Sequence, residues 1–311
     1  MEKFRNILFV SQGLTDESDS LKQALSLARN NKAALKALIV CPEFPKEMSD
    51  YQAKYEASLT QQLQDSLQNC RKDINVSETE VPVNIEVASG AMPAVQIIRH
   101  VLKDEHDLVV KEAEPKEGGK GFKAMDMKLL RKCPCPVWLS RPIKHRRTEM
   151  QVAVAIDPIS AAPEGHDLSL RLLKLARELA DTCNGELNII SCWDCDAEEY
   201  LRHNMWIKFD ETELRRLVAE AQNQHRDALE DIIQQSGIAG NIQLHQLRGS
   251  TEEIIPQYMV DKKFDILVMG TVARTGIPGF VIGNTSENIM QKLQCSLLAL
   301  KPAGFVSPVK I

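Results

Sequence analysis

FDILVMGTV, at residues 264–272, and HDLVVKEAE, at residues 106–114, are two versions of one pattern in this chain. Each holds an aspartate followed by a short apolar run, which is typical of a buried strand in a parallel sheet. Two further pairs of stretches show the same relation: LLRKCPCPVWLSRP at 129–142 with IMQKLQCSLLALKP at 289–302, and VASGAMPAVQIIRHVL at 87–102 with LRGSTEEIIPQYMV at 247–260. A duplicated unit of roughly 145–160 residues explains all three pairs with one assumption.

The order of predicted elements is the same in both halves of the chain. In each half, five short apolar or alternating runs that predict strands alternate with four segments of helical periodicity. Strands that alternate with helices favour right-handed crossovers, and therefore a mainly parallel sheet with helices on both faces. We predict an α/β fold of two tandem domains, residues 1–143 and 150–304, each with a five-stranded, mainly parallel sheet. A basic, proline-containing linker at residues 141–149 joins them.

Charge and hydropathy argue against two classes of partner, although a mild negative charge does not forbid nucleic-acid binding. The chain has 311 residues and a formal net charge of −5, whereas a nucleic-acid-binding domain usually presents a strongly basic face. No apolar run approaches the ~20 residues that cross a bilayer, and the N-terminal apolar stretch is too short for a secretory signal. We expect a cytoplasmic protein whose partners include neither nucleic acid nor a membrane.

The eight cysteines fit reduced cytosolic thiols better than a disulfide framework. Two close pairs stand out, Cys133 with Cys135 and Cys192 with Cys195. A zinc site needs two converging pairs, or a pair with spaced histidines, and the histidines of this chain are scattered. We therefore predict no metal site. A thioredoxin-like role for the second pair is also not expected, because no helix is predicted to start there and lower the thiol pKa.

The segment at residues 269–288 has the composition of a phosphate-binding loop. It contains four glycines within fourteen residues, followed by a predicted helix: Gly270, Gly276, Gly279 and Gly283. In open α/β sheets, ligands bind beyond the carboxyl ends of the strands, and glycines let the backbone approach an anion closely. Asn284, Thr285 and Ser286 could cap the helix, whose first N–H groups attract phosphate. The alternative is a turn-rich loop that binds nothing.

This segment resembles the nucleotide loop of the universal stress protein family, and the resemblance covers nearly the whole chain as two tandem family domains. In nucleotide-binding members the motif reads Gly, two residues, Gly, nine residues, then Gly-Ser/Thr. Gly270 and Gly283 match its first and last glycines, whereas Ala273 replaces the second glycine and Asn284 replaces the Ser/Thr. The family also places an acidic residue at the end of the first strand, near the adenine and ribose, and Asp157 matches that position.

The resemblance implies a fold of the adenine nucleotide alpha hydrolase type and a nucleotide site in the second half. The phosphates would lie on Gly270, Gly283, Asn284 and Thr285, with the base near Asp157. The full set of expected binding residues is Asp157, Met269, Gly270, Arg274, Gly276, Gly279, Gly283, Asn284 and Thr285. The ligand would be ATP or a related nucleotide, with or without Mg²⁺, and its binding would report or stabilise a conformation during stress.

No catalytic residues are predicted. The sequence has no Ser–His–Asp order and no Cys–His pair in a recognisable setting. Arg274 alone could clamp a phosphate, and no pair of metal-binding carboxylates is evident. A dedicated enzyme is therefore not expected, and any ATP hydrolysis would be slow. Two alternatives stay open: a slow ATPase, and a binding or scaffold protein for a non-nucleotide ligand, lipid-like or otherwise apolar.

The first half departs from the nucleotide motif. Gln12 occupies the acidic position after the first strand, and Glu112 and Glu114, where the glycine loop would start, would repel phosphate. We predict no nucleotide site in this half. The fifth strand of each half leaves a sheet edge that pairs either within the chain or between two chains. Because family domains of this kind pair with themselves, we predict an intramolecular pseudo-dimer, and a homodimer stays an alternative.

Overall fold

The computed structural model describes residues 4–114, 117–143, 145–159, 163–203, 209–271 and 282–310. Within these ranges the chain forms ten strands and nine α-helices. The strands are β1 (Asn6–Ser11), β2 (Ala34–Cys41), β3 (Val83–Ser89), β4 (Leu108–Glu112), β5 (Val137–Ser140), β6 (Val152–Ala155), β7 (Glu186–Trp193), β8 (Asn241–Arg248), β9 (Ile266–Gly270) and β10 (Ser296–Leu300). The helices are α1 (Ser18–Asn31), α2 (Ser49–Ile74), α3 (Pro93–Asp104), α4 (Ala124–Lys132), α5 (Pro163–Asp181), α6 (Asp196–Arg202), α7 (Glu211–Ser236), α8 (Thr251–Asp261) and α9 (Asn284–Lys292).

All ten strands belong to one sheet, in the order β3-β2-β1-β4-β5-β10-β9-β6-β7-β8. Neighbouring strands are parallel within each half, which confirms the predicted pair of five-stranded α/β domains. The central pair, β5 with β10, is antiparallel, with Trp138 opposite Leu298. The two halves therefore pair through their fifth strands within one chain, as predicted.

Two hydrophobic layers cover the two faces of the sheet, because side chains alternate along each strand. Phe9 and Val154 point to the face covered by α1, α2, α5 and α7. Leu8 and Ala153 point to the other face, which α3, α4, α8 and α9 cover. Each layer contains residues of both halves, so the core is continuous across the β5–β10 junction. Among the described residues, no helix combines the length and the apolar character that a bilayer span requires.

Helix α6 was not predicted from the sequence, and it corrects the expectation for the second cysteine pair. Cys192 lies inside β7, and Cys195 is the N-cap residue of α6, so a helix does begin there. However, burial raises the pKa of the Cys192 thiol to about 11, because a low-dielectric environment disfavours the thiolate. This shift is opposite to the one a redox-active thiol needs, so a thioredoxin-like role still lacks support.

Gly121 holds the connection before α4 against the second half. Its N–H donates to the carbonyl oxygen of Leu293 at 2.7 Å, and its φ is +71°. A Cβ atom at this position would collide with the backbone carbonyl of Gln291. Glycine is required here for two reasons, since the left-handed conformation disfavours other residues and the two backbones lie too close for a side chain.

We expect Gly121→Ala to destabilise the protein more than Gly119→Ala. Gly119 has a similar φ of +67°, but a Cβ atom there would meet none of the described residues within 4 Å. Gly119→Ala should therefore lower the free energy of unfolding by about 1 kcal/mol, because alanine disfavours the left-handed conformation. Gly121→Ala should cost a further ~1–3 kcal/mol, because the chain must move away from Gln291. Urea unfolding of both variants measures the difference, and equal costs would show that the contact with the second half contributes nothing.

Candidate functional site

In the second half, β7 and β8 lie on one side of β6, and β9 and β10 lie on the other side. The candidate site lies between β6 and β9, where the strand order changes direction. The two strands are parallel neighbours, with Ala155 opposite Met269, so their carboxyl ends share one edge of the sheet. Asp157 follows β6, and Gly270 ends β9. The Ser286 hydroxyl, in the first turn of α9, donates to the Gly270 carbonyl at 3.2 Å. The chain thus forms the crevice in which open α/β sheets bind ligands.

The first turn of α9 presents backbone donors at this crevice. Gly283 is the N-cap residue, and no side chain caps the helix among the described residues. Because the N-cap residue is a glycine, the expectation that Asn284, Thr285 or Ser286 caps the helix is wrong. The first N–H groups of an α-helix have no intrahelical acceptor and carry partial positive charge, which suits them to an anion.

Two of the expected binding residues have structural roles as well. A Cβ atom on Gly270 would lie 2.6 Å from Cδ2 of Leu168, so this glycine lets α5 pack closely against the end of β9. The Met269 side chain is only 4% exposed and belongs to the core. Met269 therefore offers the crevice only its backbone.

The carboxylate of Asp157 is held by a turn at the end of β6. One carboxylate oxygen accepts the Ile159 N–H at 3.1 Å, as in an Asx turn, and the residue is exposed. Its negative charge acts on the nearby His225, but burial dominates and lowers the pKa of that imidazole. A carboxylate in this position can accept hydrogen bonds from hydroxyl or amino groups of a ligand in the crevice.

A buried chain of hydrogen bonds fixes the backbone just before Asp157. The side-chain amide of Gln246 donates to the Gln222 carbonyl and to Nδ1 of His225, both at 3.0 Å. His225 is therefore neutral and protonated on Nε2, which lies 3.0 Å from the Ser191 hydroxyl and donates to it. Ser191 donates in turn to the carbonyl of Ile156, also at 3.0 Å. A nucleophilic serine needs the reverse direction, with the hydroxyl donating to the imidazole, so this pair has a structural role.

Sequence reasoning missed this chain of hydrogen bonds. The available signal was the position of His225 on the buried stripe of α7 that also contains Leu229 and Ile232. A polar residue on such a stripe indicates a buried partner. The partner itself, Ser191, lies 34 positions earlier, and only the fold brings the two together.

The structure describes six of the nine expected binding residues: Asp157, Met269, Gly270, Gly283, Asn284 and Thr285. All six lie at or next to the β6–β9 edge. Arg274, Gly276 and Gly279 lie in residues 272–281, outside the described residues. Among the residues that are described, no group of three or more His, Cys, Asp or Glu could hold a metal ion.

Comparison with known proteins agrees with this architecture. The model of the Universal stress protein family matches residues 3–141 and 150–301. The chain belongs to this family of stress-response proteins. It is similar to universal stress protein E of Photorhabdus laumondii (27% identity, 100% of this chain, 99% of the relative) and of Escherichia coli K12 (28%, 100% and 98%). A solved structure, PA1789 from Pseudomonas aeruginosa, has the same fold, with a TM-score of 0.69, 23% identity and coverage of 96% and 93%.

The first universal stress domain fills the equivalent position with its own charges. Lys111 of β4, 1% exposed, donates to Asp126 in the first turn of α4 at 2.9 Å. The second oxygen of Asp126 accepts the Glu114 N–H at 2.9 Å. By the sequence correspondence, Asp126 stands where the second domain has Ser286. A carboxylate thus already occupies the start of the helix at which an anion would bind.

Two further carboxylates make the same edge of the first domain acidic. Glu112, which ends β4, has its pKa raised to about 7, first by burial and then by the negative charge of Glu17. Burial also raises the pKa of Glu17 itself, which accepts the N–H of Gln12 at 3.1 Å. These groups favour the prediction that this domain has no phosphate site.

Removing the charge of Asp126 should leave Lys111 buried and unpaired. We expect Asp126→Asn to lower the free energy of unfolding by about 3–5 kcal/mol. The double variant Lys111→Met/Asp126→Asn removes both charges and should recover most of that loss. Urea unfolding gives both values, and a double variant no more stable than Asp126→Asn would contradict the ion pair as the cause.

Glu112→Gln should stabilise the protein at high pH only. The raised pKa means that the folded state favours the protonated carboxyl, so wild type loses stability as pH rises from about 4.5 through about 7. Glutamine mimics the protonated form and should stabilise by about 1–2 kcal/mol above pH ~7, after allowance for solvent screening. The difference should vanish near pH ~4.5.

Unfolding in urea across this pH range measures the effect of Glu112→Gln. The exposed Glu78 provides the control, and Glu78→Gln should give no such pH-dependent difference. A constant difference between Glu112→Gln and wild type at every pH would show that the charge of Glu112 is not its cause.

Proposed function

We propose that the second domain binds ATP or a related adenine nucleotide in the β6–β9 crevice, and that binding reports or stabilises a conformation during stress. The observation that carries this proposal is the first turn of α9, which no described side chain caps, beside the Gly270 carbonyl and with Asp157 on the neighbouring strand end. Backbone donors, a close approach at glycine and an acidic group for the sugar or base are what a nucleotide requires.

In this proposal the phosphates lie on the backbone of Gly283, Asn284 and Thr285, and the amide of Asn284 adds a donor. Asp157 accepts hydrogen bonds from the ribose or the base. The segment at residues 272–281 would complete the site, with Arg274 as a cation near the phosphates and Gly276 and Gly279 allowing close approach. Mg²⁺, when it accompanies ATP, would take its ligands from the phosphates and water.

A second candidate function is the binding of an apolar, non-nucleotide ligand in the first domain. A cavity of about 450 Å³ lies beyond the carboxyl ends of β1, β2 and β3. Leu14, Phe44, Tyr55 and Pro93 are among its walls, and the two aromatic rings pack with centroids 5.5 Å apart. The acidic groups at the neighbouring strand ends favour an uncharged ligand over a phosphate.

A slow ATPase activity of the second domain is tested separately by phosphate release in a single turnover.

We also propose that the protein resides in the cytoplasm. All eight cysteines are free, and four of them are buried. Free thiols in this number suit a reducing compartment, since disulfides form and persist in oxidising ones.

Asn284→Asp should weaken nucleotide binding without weakening the fold. The substitution keeps the shape of the side chain and puts a negative charge at the N-terminus of α9, where it stabilises the helix dipole and repels phosphate. We expect the affinity for ATP to fall about tenfold or more, with unchanged or slightly higher thermal stability. Equilibrium titration of ATP and a thermal melt measure the two effects.

The control is Met92→Asp, which adds the same charge at the start of α3 in the first domain. It should leave ATP binding unchanged. Gly283→Val is a second probe, because a φ of −60° accepts valine while the side chain would obstruct the phosphates. If wild type and Gly283→Val bind ATP alike, or if neither binds it, the nucleotide proposal is wrong.

A further inference from the structure

A cavity of about 320 Å³ lies between the two domains, on the sheet face that α1 and α5 cover. Its walls come from α1, the end of α2 and β5 of the first domain, from the linker, and from α5 and β9 of the second. The floor is apolar and includes Leu27, Ile74, Trp138, Ile143, Leu179 and Ile266. Cavities at domain junctions with an apolar lining and a few polar groups are common ligand sites.

One acidic and four basic side chains also line this cavity: Asp19, Lys22, Arg29, His145 and Arg147. Two of the basic groups already have carboxylate partners outside the cavity wall. Lys22 pairs with Asp73 at 2.7 Å, and His145 pairs with Asp265 at 2.8 Å. The carboxylate of Asp19 is exposed and lies ten residues before Arg29, or about 15 Å along α1. This separation is too large for Asp19 to neutralise Arg29.

None of the described carboxylates neutralises the charge of either arginine. Arg147 is half-buried and donates through Nε and Nη2 to the carbonyl and hydroxyl oxygens of Thr182, both at 2.9 Å. Both acceptors are uncharged, and none of the described carboxylates pairs with this guanidinium. Burial lowers the pKa of Arg147, and repulsion by Arg29 adds to that shift. Arg29 itself forms no ion pair or side-chain hydrogen bond with the described part of the chain.

The cavity lining thus combines apolar side chains with two guanidinium groups that repel each other. Most N–H donors of these two groups have no acceptor among the described residues, since a guanidinium carries five. Two guanidiniums that line one cavity suit a carboxylate, sulfonate or phosphate group, which accepts several charge-assisted hydrogen bonds at once.

We propose that this cavity binds a small organic anion with an apolar body, whose charged group contacts Arg29 and Arg147 and whose body packs on Trp138. The bound anion would contact residues of both domains and would hold them together. This site is separate from the β6–β9 crevice, so it does not depend on the nucleotide proposal.

A matched pair of fluorescent probes tests both parts of the proposal. Anilinonaphthalenesulfonate has an anionic group on an apolar body, and N-phenylnaphthylamine has the same body without the sulfonate. We expect the sulfonate to bind the full chain at neutral pH with an affinity about tenfold or more above that of the neutral probe. Energy transfer from tryptophan to the bound sulfonate should fall in Trp138→Phe, which places the probe at this cavity.

Variants of Arg29 are the most direct test, because this side chain forms no ion pair or hydrogen bond with the described residues. Arg29→Gln should weaken binding of the sulfonate about tenfold, and Arg29→Glu should weaken it further, while binding of the neutral probe stays unchanged. Arg147→Gln should act in the same direction. The control is Arg215 on α7, whose side chain is 78% exposed, and Arg215→Gln and Arg215→Glu should leave both probes unaffected.

Three results would each overturn the proposal. The first is no binding of the sulfonate, and the second is equal binding of the two probes. The third is binding of the sulfonate that is unchanged in the Arg29 variants.

Discussion

The antiparallel pairing of β5 with β10 determines how the rest of the molecule is arranged. A parallel five-stranded sheet leaves an unpaired edge at its fifth strand, and here each domain satisfies the edge of the other. The strands within each domain are parallel, and the two domains meet in an antiparallel pair. The carboxyl ends of the first domain's strands therefore lie at one edge of the common sheet, and those of the second domain's strands lie at the opposite edge. The first-domain cavity and the β6–β9 crevice therefore face away from each other. The hydrophobic layers, by contrast, run across the junction on both faces, so the two domains share their core while keeping separate ligand edges.

The two domains use one backbone scheme with different side chains at the equivalent edge. In both, the residue after the fourth strand donates its N–H to the end of the fifth strand: Ala113 to Ser140 at 2.8 Å, and Thr271 to Leu300 at 3.0 Å. The residues on either side have diverged. The second domain has Gly270 and a hydroxyl at the start of the following helix, whereas the first has Glu112 and a buried carboxylate paired with Lys111. The backbone bond is kept because the fold needs it, while the charges decide which ligands each edge accepts.

Sequence patterns predicted the element order because strand and helix periods differ, and because the repeat supplied each assignment twice. Helix α6 was not predicted, because it has only seven residues and none of them is buried. It therefore has no apolar stripe that a sequence pattern could show. Asp157 and Gly270 lie at one edge of the sheet, because carboxyl ends of neighbouring parallel strands share an edge, and Ser286 links the first turn of α9 to Gly270. That these residues bind a nucleotide stays a prediction. The contact of Leu168 with the glycine at the end of β9 depends on tertiary packing and left no local signal. The hydrogen bonds through His225 left one signal, a polar residue on the buried stripe of α7, but their partner Ser191 lies 34 positions earlier in the chain.

The interdomain cavity holds a partly buried cation in a setting different from that of Lys111 in β4. Where Lys111 is buried, a carboxylate lies 2.9 Å away and neutralises it. Arg147, also taken partly out of water, finds only uncharged oxygens as acceptors among the described residues, and its charge is repelled by that of Arg29. An interface that served only to join the domains would gain stability from a carboxylate at either position, because an unpaired desolvated charge is costly. Local violations of this kind concentrate at functional sites, where the missing partner is supplied from outside. The apolar side chains beside the two arginines indicate what the rest of the ligand is: an apolar group that packs on Trp138 and is thereby removed from water.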